Sequence, residues 1–131
     1  MKAKSTRARL SRAQFEIMNV VWELGKAGAT DVLDALAKRR PIARTTVLTT
    51  MRRLEEKGWL RHEIQGNRFL YVPTATRRKT TGQIVRNLVD TAFSGSADGL
   101  VLALLDSHDL SRDEIDRIRA LIDRADKETT R

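Results

Sequence analysis

The chain has 131 residues and a formal net charge of +8, and with 40% hydrophobic and 32% charged residues its composition is that of a soluble globular protein and not a disordered one. The absence of cysteine excludes disulfides, thiolate catalysis and cysteine-based metal sites. The longest apolar run, Leu100–Leu105, falls far short of the ~18 residues that a membrane span needs. The charge is unevenly placed, because residues 1–76 hold 15 Lys and Arg against 7 Asp and Glu, whereas residues 77–131 hold 10 of each. A basic half joined to a neutral half predicts a polyanion-binding module, residues 1–76, followed by a second domain, residues 77–131. Lys2, Lys4, Arg7 and Arg9 begin the chain with no apolar stretch behind them, which predicts a flexible basic tail over residues 1–9, no secretory signal and a cytoplasmic protein.

In chain order, Ser11 and Gln14 have the spacing of a capping box and start a helix. Phe15, Met18, Val21 and Trp22 recur at helical spacing, with Ile17 and Leu24 widening the apolar face. Gly25 ends that helix. Thr30 is the expected N-cap of a second helix, with Asp31 at its positive end. Val32, Leu33 and Leu36 form its buried stripe, Lys38–Arg40 suit its C-terminus, and Pro41 stops it.

A third helix is predicted from Arg44. Val47, Met51 and Leu54 share one face, and Gly58 supplies the left-handed stop. The period then changes to short strand-like stretches, Trp59–Ile64 and Phe69–Val72, around the turn Gln65–Arg68, whose Gly-Asn pair suits positive φ. Helix, helix, helix and hairpin in this order predict a winged helix-turn-helix domain.

From Arg77 the pattern is purely helical. Ile84, Leu88 and Phe93 mark one helix, with Val85, Val89 and Ala92 beside them. Gly95-Ser96 breaks it, and Leu100, Val101, Leu104 and Leu105 belong to a second helix that is apolar around most of its circumference. Ser111 and Glu114 form another capping box ahead of Ile115, Ile118, Leu121 and Ile122. Three helices of this size make a thin core, so these residues are assigned to a homodimer interface. The fold class is mainly α with a small β-hairpin: a winged helix followed by a three-helix dimerisation domain.

The candidate functional residues lie on the third helix and the hairpin. Opposite its apolar stripe the third helix shows Arg44, Thr45, Thr46, Thr49, Thr50, Arg52 and Arg53. Threonines are poor helix formers, but their short side chains let a helix sit deep in the major groove and contact base edges or thymine methyls. Arg44 and the four threonines are assigned to base reading. Arg52, Arg53, and the hairpin residues Arg61, Asn67 and Arg68 are assigned to the DNA backbone. The simpler alternative makes Thr45 a helix cap, the other threonines incidental surface and Arg68 a solvated side chain. His62 and His108 have no carboxylates at metal-ligand spacing and read as surface residues. No phosphate-cradling glycine loop is present, so neither enzymatic activity nor a cofactor is expected.

The run Thr46-Val47-Leu48-Thr49 through Arg53-Leu54-Glu55-Glu56-Lys57-Gly58 resembles the recognition helix of the penicillinase-repressor (BlaI/MecI/CopY) family. Leu10-Ser11 through Val21-Trp22 and Leu110-Ser111 through Ile115 are similar to its start and end, so the resemblance covers about residues 10–126. It implies a cytoplasmic homodimeric repressor of a palindromic operator in double-stranded DNA, and a regulatory protease as a further partner. Copper-responsive members carry paired Cys-x-Cys motifs, which this chain lacks. Protease-inactivated members are cut at an Asn-Phe bond, and Ala103-Leu104 stands in the corresponding place. The alternatives to a specific repressor are a non-specific architectural DNA binder and a winged helix used for protein interaction.

Overall fold

The computed structural model describes residues 9–129, so most of the expected basic tail, including Lys2, Lys4 and Arg7, lies outside the described residues. The elements are α1 (Arg12–Leu24), α2 (Ala29–Ala37), α3 (Arg44–Glu56), β1 (Leu60–Gln65), β2 (Arg68–Pro73), α4 (Arg77–Ala92), α5 (Ala97–Ser107) and α6 (Arg112–Thr129). They form two compact units that divide between residues 83 and 84, within α4.

In the first unit α1 starts as its sequence dictates. The Ser11 hydroxyl accepts from the Gln14 backbone N–H at 3.1 Å, and the Gln14 amide oxygen accepts from the Ser11 N–H at 2.9 Å. Ile17, Met18, Val20 and Val21 turn into the core, with Trp22 packed at its edge. Leu24 is 55% exposed, so the apolar face stops short of it, whereas Val20, which the helical spacing did not include, is buried. Gly25 ends the helix at φ +80°, a conformation that glycine adopts without a Cβ penalty.

The second helix begins earlier than Thr30. Its N-cap is Gly28, and the cap bond comes from Asp31, whose carboxylate accepts the Gly28 N–H at 2.9 Å. A carboxylate three residues into a helix closes the first turn as well as a capping hydroxyl and also meets the positive end of the helix. Val32 and Leu36 are buried and Leu33 packs against them. The turn into α3 is tied back to α1 by Arg40, which donates to Glu16 at 2.7 Å.

Val47, Met51 and Leu54 of α3 are fully buried among α1, α2 and the hairpin base. At the end of α3, Gly58 at φ +88° donates to the Glu55 carbonyl at 3.0 Å, and the Trp59 N–H donates to the Leu54 carbonyl at 2.9 Å. This paired 5→2 and 6→1 closure is a Schellman motif, with Trp59 and Leu54 as its apolar contact. It aims the chain straight into β1.

β1 and β2 pair antiparallel from Leu60 opposite Pro73 to Gln65 opposite Arg68. Only the first residue of the two-residue turn, Gly66 at φ +62°, has positive φ; Asn67 does not. Glycine alone therefore meets the conformational demand, in the manner of a II′ turn, and Asn67 is not required for it. The other edge of β2 is held by a single-residue bridge: Ala27 and Tyr71 exchange backbone hydrogen bonds of 3.0 and 2.8 Å. The start of α4 belongs to this unit too. Trp22 donates its indole N–H to the Ala75 carbonyl at 2.9 Å, Arg77 lies over the Trp22 ring, and Thr80 is buried.

The second unit has a different character. Ser94 and Gly95, both at positive φ, break α4 from α5, and Ser96 caps α5 by accepting from the Gly99 N–H at 3.0 Å. Ser111 caps α6 through the Glu114 N–H. From Ile84 to Thr129 no described residue is buried; Phe93, Leu100, Ile115 and Ile118 are half-buried, whereas Ile84, Leu88, Val101, Leu104, Leu105, Leu121 and Ile122 are exposed. No single helix among the described residues is long and apolar enough to cross a membrane.

Because Met51 is fully enclosed, Met51→Ala should destabilise the protein by about 2–5 kcal/mol. A fall in the urea midpoint at unchanged slope would register it.

Candidate nucleic-acid interface

With Val47, Met51 and Leu54 turned inward, helical geometry decides what α3 presents to solvent. Thr45, Thr49, Arg52 and Arg53 are exposed on the opposite side, with Arg44 and Thr46 exposed on its flanks. Thr50 differs from the others. It is half-buried and its hydroxyl donates to the Thr46 carbonyl at 2.7 Å, so the helix backbone already holds that donor. Thr45 is not a cap, because the N-cap is Ala43, which offers no side-chain bond. Neither Arg52 nor Arg53 forms an ion pair with a described residue. The outward face of α3 therefore combines short hydroxyl-bearing side chains with uncommitted guanidinium groups.

Arg44, at the first position of α3, donates from Nη1 to the Thr30 hydroxyl at 3.1 Å. Thr30 stands next to Asp31 in the first turn of α2. The wing arginine reaches the same turn, since Arg68 Nη2 lies 3.1 Å from Asp31 Oδ2. Asn67 is exposed at the tip of the wing.

Farther along the wing, Arg61 does not stand alone. It donates to Glu63 at 3.2 Å, and Lys26 donates to the other oxygen of the same carboxylate at 2.9 Å. Lys26 first and then Arg61 hold the Glu63 carboxyl below the usual range. His62 departs from the expected surface residue: its Nδ1 lies 2.6 Å from a Glu55 oxygen, and its ring stacks on Phe69 at 4.1 Å. This contact joins the wing to the last turn of α3. His108, in contrast, sits exposed at the end of α5 beside the Ser107 hydroxyl.

The sequence assigned Arg44 and Arg68 separate tasks on separate elements, and the fold brings both to one turn of α2. Thr30, Asp31 and Glu63, which complete these contacts, were not assigned to the interface. Asp31 stood out in the sequence only as a favourable charge for its own helix.

A match to the family described as penicillinase repressor covers residues 10–124. The chain belongs to the penicillinase repressor family. Its curated relatives include the methicillin resistance regulatory protein MecI of Mammaliicoccus sciuri, 25% identical over 115 residues that span 88% of this chain and 94% of MecI. The penicillinase repressor of Bacillus licheniformis is 25% identical over 114 residues, which span 87% of this chain and 89% of that protein. The family is one of repressors and not of enzymes. Among solved structures, the DNA-binding domain of the repressor BlaI superposes with a TM-score of 0.51 at 29% identity, covering 55% of this chain and 88% of that domain. Apo MarR from E. coli has a TM-score of 0.51 at 17% identity over 88% of this chain and 77% of its own, a likeness of fold alone. The winged helix inferred from element order is thus the fold of the family.

The Glu63 cluster carries a pH dependence of definite sign. A carboxyl whose folded pKa is depressed contributes stability above its ordinary range and loses it as pH falls through the folded value. Glu63→Gln should therefore flatten the acid limb of the stability curve below the ordinary glutamate range while leaving the neutral region nearly level, as read by thermal unfolding across pH.

Proposed function

We propose that this family member is a sequence-specific DNA-binding transcriptional repressor that acts as a homodimer on a palindromic operator. The observation that carries the reading is the outward face of α3, which gathers threonine and arginine opposite a fully buried stripe on the element that follows the helix-turn. A helix so faced enters the major groove with hydroxyl and methyl groups at base edges. Arg44, Thr45, Thr46 and Thr49 read bases, and Thr50 supports them from the flank. Arg52, Arg53, Arg61, Asn67 and Arg68 contact the sugar-phosphate backbone.

Residues 1–76 form the DNA-binding domain in this reading, and residues 77–131 the dimerisation domain. The exposed apolar residues of α4, α5 and α6 support the latter, since they present more apolar surface than an isolated helical unit leaves to water. A two-fold dimer sets its recognition helices about 34 Å apart, one turn of DNA. Bound at a promoter in the cytoplasm, it blocks transcription. Loosening the dimer releases it, because two half-site contacts lose the advantage of being linked. A regulatory protease that cuts α5 would act in this way, although Ala103-Leu104 calls for a preference other than Asn-Phe.

Arg44→Ala or Thr49→Ala should lower discrimination between operator and mismatched duplex by ~1–3 kcal/mol while leaving binding to random DNA little changed. Arg68→Ala should weaken all sequences alike and reduce the salt slope by about one phosphate contact. Equal losses on operator and random DNA for the α3 variants would remove them from base reading. Leu105→Glu should yield a folded monomer in sedimentation velocity that retains only half-site affinity.

A further inference from the structure

We propose that Asp31 is a positioning residue for the wing: from the first turn of α2 it holds the Arg68 guanidinium in place to meet a DNA phosphate. The proposal rests on the reading of Arg68 as a backbone contact and adds what prepares it.

Asp31 is a fixed acceptor. The same oxygen, Oδ2, accepts the Gly28 backbone N–H at 2.9 Å and the Arg68 Nη2 at 3.1 Å. The first of these bonds is the cap of α2, so the helix and not the arginine sets the orientation of the carboxylate. A surface ion pair between two mobile side chains contributes little, because both must be ordered to form it. Here one partner is already ordered.

Gly28 shows the same placement from the side of the backbone. Its φ of −85° is open to any residue, so the backbone does not demand glycine there. The space beside it is taken by Arg68: a Cβ at Gly28 would lie 2.6 Å from Arg68 Nη2 and 3.5 Å from its Cζ, and in ordinary contact, 3.4 Å, with the Phe69 carbonyl oxygen. The guanidinium lies over the bare backbone of the α2 N-cap, in the volume a side chain at 28 would fill. Asp31 uses one of five guanidinium N–H donors, and Arg68 remains more than half exposed, which leaves an edge for a phosphate oxygen. The neighbouring Thr30 holds Arg44 of α3 at 3.1 Å. One rigid turn therefore sets where the wing arginine stands relative to the helix that enters the groove.

Two variants of the full chain separate this role from charge and from folding. Asp31→Asn keeps an oxygen for the Gly28 N–H but removes the charge. Gly28→Ala keeps both charges and displaces only the tip of a flexible side chain. Fluorescence anisotropy with a labelled mixed-sequence duplex, at two salt concentrations, reads the backbone contact without knowledge of an operator. Each variant should bind about threefold more weakly than the parent chain, the scale of one exposed ion pair. In an Arg68→Ala background neither should weaken binding further, and Asp31→Asn should tighten it slightly by removing a negative charge.

Parent-like affinity in both single variants would overturn the role of Asp31. The same is true of losses that persist undiminished in the Arg68→Ala background, since those would come from α2 itself. An Arg68→Ala chain with unaltered affinity and salt dependence would instead take the wing off the DNA, and Asp31's role with it.

Discussion

The burial of Val47, Met51 and Leu54 is the constraint on which the rest of the DNA-binding unit depends. All three are fully enclosed, and a helix with one enclosed stripe has no freedom to rotate about its axis. That single fact chooses Thr45, Thr49, Arg52 and Arg53 for solvent. It also fixes the departure of the chain, because the Schellman closure at Gly58 runs from the last buried turn directly into Trp59 and Leu60. The hairpin is then caught on its far side by the Ala27–Tyr71 bridge. Helix face, hairpin base and wing edge form one mechanical sequence. A cavity beneath Met51 would be felt at the wing as well as in the core.

Most of the first unit was legible because its signals are local. A capping box at Ser11, apolar residues at helical spacing in α1 and α3, and a glycine after Lys57 each act within a few positions of themselves. What the sequence concealed is tertiary. Gly28 displaced Thr30 as the N-cap of α2 because Asp31 supplies the cap bond from three residues inside, and no local rule ranks those two solutions decisively. Asp31 and Arg68 are separated by 37 positions, and only the closed fold brings them together. His62 read as plain surface because neither its contact with Glu55 nor its stack on Phe69 leaves a mark in the spacing of charges. The threonine-rich face was visible from the helical period, but the period does not reveal that Thr50 spends its hydroxyl on the backbone of its own helix.

The second unit shows what apolar periodicity specifies and what it leaves to assembly. Its helix starts at Ser96 and Ser111 are set by side-chain caps, as local chemistry dictates. Its apolar residues, in contrast, find too little cover within 84–129 for any of them to be buried. Hydrophobic side chains at 40–60% exposure along three consecutive helices represent surface that water opposes. A second copy of the chain is the cover proposed for them, and the same association would link two weak half-site contacts into a tight one. Stability and operator affinity would then depend on one equilibrium.

In the proposed complex a dimer presents two threonine-rich helices to adjacent major grooves. Selection of bound duplexes from a random-sequence pool by the full chain, followed by sequencing, tests this most directly. The expected result is an enriched inverted repeat whose half-sites are centred about one helical turn apart. Salt-sensitive binding that enriches no sequence, or a single unrepeated half-site, would contradict it.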